Sequence, residues 1–228
     1  MTITTTTLTR AAGVAAAVAG TLFIAVQVKH PDLDLTFATT TEFKVRQGMK
    51  VVMSALALAG ITGMYLRQAK KTGVLGLIAY LVFSVGYLAM LSIEVVGAVV
   101  LPSIAHSSPG YVSDVLTVAG GGHAAGDIGL MQPLISVMGI GFLGGRVLFG
   151  IALFRANVLA RWAGALLAIA AVATAISPQL PINQRLFAIP TSVALIGLGY
   201  SLWREQRTTA TATVPSTASP QLDPAGAK

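Results

Sequence analysis

The chain has 228 residues, 54% hydrophobic and 10% charged, with no cysteine. A soluble domain carries about 25% charged residues, so this chain has too little polar surface to cover a water-soluble particle, and without thiols it has no disulfides, thiolate catalysis or cysteine-held metal. The formal charge of +7 lies in short basic connections without interleaved aromatics, which excludes a nucleic-acid surface and fits contacts with anionic lipid headgroups.

Six apolar stretches follow in chain order, at residues 11–28, 51–66, 74–101, 130–154, 158–176 and 186–203. About 20 apolar residues in α-helix cross a hydrocarbon layer of roughly 30 Å. The expected fold is therefore all-α and polytopic, a bundle of six transmembrane helices with short helices on the outer face. Residues 1–10 are expected to be a disordered cytoplasmic N-terminus, 11–204 the membrane domain and 205–228 a disordered cytoplasmic tail. Arg10 before the first apolar run imitates a signal peptide. The run is too long and lacks a small-x-small cleavage site, so it reads as an uncleaved helix.

Beyond the first stretch, Thr39 and Glu42 form a capping-box pattern that starts the second helix ahead of its apolar part, and Glu42 and Arg46 make an i,i+4 pair. In the third connection Ser108 and Pro109 suit the start of a short helix. Val112, Val115, Leu116 and Ala119 would line its buried face before Gly120, Gly121 and Gly122 stop it. This helix is expected to lie over the outer mouth of the bundle. In the fourth stretch Gly141 and Gly145 form a small-xxx-small pair for close helix packing. Pro190 falls in the first turns of the last stretch, where it bends or helps to start the helix.

Orientation follows from the basic residues. Arg10, Arg67, Lys70, Lys71, Arg155, Arg161, Arg204, Arg207 and Lys228 fall on one side. Lys29, Lys44, Arg46, Lys50 and Arg185 fall on the other, and the 102–128 connection has no Lys or Arg. The positive-inside rule then puts both termini in the cytoplasm. Tyr65, Trp162 and Trp203 sit beside the basic residues of that face as interfacial anchors.

Glu94 is the candidate catalytic or ligand-binding acid, since it is the one acid inside an apolar span. A carboxylate in hydrocarbon costs on the order of 3 kcal/mol, so it should face the interior. Tyr80, Ser84, Tyr87 and Glu94 share one helical face, an inward polar stripe. Arg146 in the fourth helix is the other intramembrane charge, at a level differing from that of Glu94 by roughly 10 Å along the axis. The two are therefore expected not to pair directly, and Gln in place of Glu94 is expected to fold as well as the acid. His106, His123 and Asp127 share the outer face and are the weak candidates for a divalent metal, although their spacing matches no metal motif. No nucleophile-elbow, zinc-protease or phosphate-loop pattern occurs, and no cofactor is expected.

The chain resembles a family of small six-helix bacterial membrane proteins classed as a domain of unknown function. The resemblance rests on Thr9-Arg10-Ala11-Ala12-Gly13-Val14 and Glu94. It rests too on Leu143-Gly144-Gly145, Leu148-Phe149-Gly150, Leu153-Phe154-Arg155 and Leu159-Ala160-Arg161-Trp162. Members usually carry Pro where this chain has Ala160. The resemblance spans about residues 9–205 and implies six helices in a bacterial cytoplasmic membrane, with no activity attached.

Two functions are expected from these residues. The favoured one is a non-enzymatic membrane component, a small transporter, permeability factor or accessory protein. Its partners would be membrane lipids, a small-molecule or lipid ligand, and a membrane protein or a second copy. The alternative is a membrane enzyme acting on a lipid or isoprenoid, with Glu94 as general acid and Tyr80 and Tyr87 lining the site.

Overall fold

The computed structural model describes residues 4–177 and 184–212, without the side chains of 184–185 and 206–212. Among them every regular element is helical. In chain order these are α1 (Thr5–Ala25), α2 (Leu35–Ala38), α3 (Thr41–Val95), a π-helical turn (Val96–Val100), α4 (Leu101–Ile104), α5 (Pro109–Ala119), α6 (Met131–Ala156), α7 (Arg161–Ile176), a 3-10 turn (Gln184–Phe187) and α8 (Ala188–Ala212). The tail beyond Ala212 and the basic side chains of Arg185, Arg207 and Lys228 lie outside the described residues.

Among the described residues three helical stretches are long and apolar enough to cross a membrane: Thr5–Ala25, Thr41–Ile104 and Met131–Ala156. The second is not straight. Gly73 has φ 57° and ψ −147°, a conformation open in practice only to glycine, and the chain reverses there into two arms, 41–72 and 74–95. Contacts across the arms show the reversal. Thr62 Oγ1 lies 3.1 Å from Tyr80 Oη, and the Tyr65 and Tyr80 rings stack at 4.6 Å. Further from the turn Lys50 meets Glu94, and Gln47 meets Gly97. The partner numbers sum to nearly the same value throughout, as an antiparallel helical hairpin requires. α7, with 16 residues, is apolar but shorter.

The remaining neighbours are antiparallel too. Gly13 packs against Gly199 and Gly20 against Ser192, joining α1 to α8; Gly60 and Gly63 meet Ala16 and Ala12, joining α1 to the first arm. Gly86 meets Gly141 for the second arm and α6, Gly150 meets Gly164 for α6 and α7, and Trp162 covers Gly197 for α7 and α8. The segments thus close into a ring, α1, two arms of α3, α6, α7, α8, around a core that includes Ile61, Phe83, Phe149, Leu167 and Leu198. Close backbone approach at small residues is what joins helices where the exterior is as apolar as the core. That exterior carries Leu81, Val85 and Leu88 on α3, Ile140 on α6, Ile169 and Val172 on α7, and Val193 on α8, all exposed.

The two ends differ. One end holds the start of α1, the Gly73 turn, Arg155, Arg161 and Arg204, and is termed the basic end. The other is capped by a second small core, in which Phe37, Phe43, Val112, Val115, Leu116 and Ile135 join α2, α5 and the ends of α3 and α6. α5 therefore lies across this end.

Several boundaries differ from the sequence reading. α1 begins at Thr5, where Thr4 Oγ1 accepts from the Thr7 N–H at 3.2 Å, so residues 5–10 are helical rather than a loose leader. At the other end α8 runs through 205–212 before the described residues stop. The N-cap of α3 is Thr40, whose hydroxyl accepts from Phe43 N–H at 3.1 Å, not Thr39. Arg46 pairs with Glu42 at 2.8 Å as its spacing predicts. It also donates to the carbonyls of Val26, Val28 and Lys29 at 3.1–3.2 Å, holding the chain that leaves α1. In α5 the buried face ends on Val118 instead of Ala119, and Ser108 makes no side-chain cap. Pro190 is the third residue of α8, where a missing N–H leaves no hydrogen bond unmade.

Candidate functional site

Two polar centres lie inside this apolar bundle. The first is at the capped end, between the arms of α3. Glu94 Oε1 stands 3.8 Å from Lys50 Nζ, and both side chains are mostly buried. Gln47, one turn earlier on the first arm and itself buried, lies beside the same carboxylate. Glu94 Oε2 has no hydrogen-bond partner among the described residues. Immediately after Glu94 the helix opens into the π-helical turn Val96–Val100, and Gly97 in that turn lies against Gln47. A π turn inside an α-helix often marks a functional position; here it accommodates the Gln47 amide beside the carboxylate. Ser54, one further turn along the Gln47–Lys50 face, is fully buried with an unpartnered hydroxyl.

Glu94 therefore has a cation beside it. Its partner is Lys50, which the sequence reading counted among outer-loop charges. No ion pair joins Glu94 to Arg146.

The second centre is Arg146 itself, 1% exposed. Nη1 donates to the Thr191 hydroxyl on α8 at 2.7 Å and Nε to the Phe142 carbonyl on its own helix at 3.2 Å. The guanidinium lies 4.2 Å from the centroid of the Phe142 ring, a favourable cation–π contact once desolvated. Tyr87 meets the same ring edge-to-face at 5.3 Å. Nη2 has no hydrogen-bond partner among the described residues. No carboxylate among them forms an ion pair with this guanidinium.

The predicted stripe Tyr80, Ser84, Tyr87 and Glu94 does not form one site. Tyr80 bonds Thr62 and stacks on Tyr65 near the turn. Ser84 keeps a buried hydroxyl without a partner. Tyr87 faces α6 and Phe142, while Glu94 faces the first arm. Gly141 and Gly145 let α6 approach the second arm: a Cβ added at Gly141 would stand 2.7 Å from Gly86 Cα, and one at Gly145 2.7 Å from Phe83 Cβ.

The metal candidates are dispersed. Asp127 Oδ1 accepts the Gly129 N–H at 2.7 Å, and Asp114 accepts from Ala125 and Gly126, so both carboxylates shape the turn after α5. No group of three His, Cys, Asp or Glu side chains among the described residues is gathered closely enough to hold an ion, and His106 and His123 belong to none.

The sequence reading missed Lys50, Gln47, Thr191 and Phe142. For the first two a signal existed: residues 50 and 94 are equally distant from the basic turn near 72, so a hairpin there opposes them. Thr191 had no such mark. Comparison with protein families, curated proteins and solved structures yields no match.

Proposed function

We propose that this chain spans a bacterial cytoplasmic membrane six times with both termini inside. We further propose that it is a non-enzymatic component, a small transporter or permeability factor for a charged solute. The hairpin at Gly73 supports two spans from the one long helix, and the exposed apolar faces of α7 and α8 support two more. The basic end carries Arg10, Arg67, Lys70, Lys71, Arg155, Arg161 and Arg204, the pattern of a cytoplasmic face.

The observation that carries the functional reading is Arg146, a cation inside the bundle with one nitrogen unpartnered and no carboxylate paired to it. An intramembrane charge facing the interior marks a ligand or ion path by default, and an unpaired cation selects for anions. The alternative, a lipid- or isoprenoid-modifying enzyme with Glu94 as general acid, gains nothing from the structure: the acid is paired with Lys50.

The test is reconstitution into vesicles and measurement of chloride, nitrate, acetate and phosphate flux against protein-free vesicles. At least one anion is expected to pass faster, and Arg146→Gln to abolish the difference. Vesicles as tight as the protein-free ones to every anion would contradict transport and leave the accessory role.

A further inference from the structure

Two cavities at the basic end meet at Leu66 and Arg67, which wall both. One is a groove of about 850 Å³ between α1 and the first arm of α3. It exists because Ala12, Ala15, Ala59 and Gly63 line it with little or no side chain. From Leu56 at the inner end to Arg67 at the mouth is eleven residues of helix, about 16 Å, the reach of roughly a dozen methylene groups. Its polarity is sorted by depth: the inner end is apolar, while Thr5, Thr6 and Thr9 join Arg67 at the mouth.

The other cavity, about 610 Å³, is walled by Arg67, Gln68, Lys70, Lys71, Asn157 and Glu205. Three cations there face one carboxylate. Glu205 holds Arg67 at 2.5 Å, which fixes the guanidinium at the junction. Lys70 and Lys71 form no ion pair among the described residues. Gln68 is 2% exposed, yet neither amide atom has a hydrogen-bond partner among those residues. A buried amide without a partner is rare and is satisfied by water, an ion or a ligand group.

We propose that the two cavities together hold one anionic phospholipid of the adjoining leaflet, one acyl chain in the groove and the phosphate at Arg67, Gln68 and Lys70. Neither half fits another occupant as well. A free phosphate leaves the groove empty, and a neutral lipid leaves three cations with one carboxylate. Basic pockets beside membrane spans are a recognised physical basis for headgroup selection. The inference rests on the membrane placement proposed above and is independent of transport. Because binding is read in detergent, its failure is distinguishable from a failed flux assay.

The experiment uses the purified full-length protein in detergent, with native mass spectrometry and thermal midpoints in the presence of dioleoyl phosphatidylglycerol, dioleoyl phosphatidylcholine or glycerol 3-phosphate. Phosphatidylglycerol is expected to be retained and to raise the midpoint more than phosphatidylcholine, and glycerol 3-phosphate to do neither. Lys70→Gln with Lys71→Gln should weaken phosphatidylglycerol about fivefold per lysine. Ala59→Phe, at an exposed position, should fill the groove and remove the retained lipid. The lysine variants lie at the solvated end, so the test stands even if Ala59→Phe fails to fold. Equal retention of both lipids would reduce the site to bulk boundary lipid and overturn the proposal. Binding of glycerol 3-phosphate as tight as that of the lipid would overturn it in favour of a free-phosphate site.

Discussion

Lys50 and Glu94 face each other because the hairpin at Gly73 carries them to the same level, and burial makes each depend on the other. Breaking a buried pair by removing one partner costs about 3–5 kcal/mol, whereas removing both is far cheaper. Glu94→Gln is therefore expected to lower the thermal midpoint, against the expectation from sequence, and Lys50→Met with Glu94→Gln to recover most of the loss. A double-mutant cycle in detergent that returned no coupling would separate the two residues. At Arg146, Thr191→Val removes a 2.7 Å acceptor and should cost about 1–3 kcal/mol, measured by the same melts. Glu94 and Arg146 were legible as charges inside apolar runs. Lys50 was not, because it stands one residue before the second apolar run and reads as a loop charge. Thr191 was not because a threonine in an apolar helix commonly bonds its own helix, and nothing in its neighbourhood points to an arginine 45 positions earlier.

Individual helices are joined by contacts between small residues, so enlarging one should act through the pair it separates. Gly145→Leu meets the Phe83 backbone and is expected to cost about 1–3 kcal/mol by overpacking. Gly144→Leu, where an added Cβ meets nothing within 4 Å, should leave the midpoint unchanged, and equal melts for both variants would mean that α6 does not pack on α3 through this face. Gly73→Ala tests the hairpin directly, since its φ and ψ exclude a side chain at a cost of about 1–3 kcal/mol. The Gly141–Gly145 spacing was legible because it is a local pattern on one helix. Its partner face, Gly86 and Phe83, was not, since small-residue spacing names no neighbour. The π turn after Glu94 and the four-residue α2 were equally hidden: both are set by what packs on them, Gln47 in one case and Phe43 with α5 in the other. The early start of α1 was missed because a run of threonines reads as polar leader, although Thr4 caps it.

For the molecule as a whole, the apolar stretches indicated a helical bundle, and every regular element among the described residues is helical, with three stretches long and apolar enough to span. The order around the ring was not legible. That α1 closes on α8 depends on Gly13, Gly20 and Gly199 meeting across nearly the full chain, a fact no local spacing encodes. The central claim is that the apolar ring crosses a membrane with its basic end inside, which places the Gly73 turn and α5 on opposite sides. The chain has no cysteine, so single cysteines can report on this without background. Ser107→Cys, Ser113→Cys and Thr72→Cys, each labelled with a membrane-impermeant maleimide in intact cells, form the most direct measurement. Labelling at 107 and 113, with 72 reacting only after the membrane is opened, is the predicted result; labelling of 72 in intact cells, or all three positions reacting alike, would contradict it.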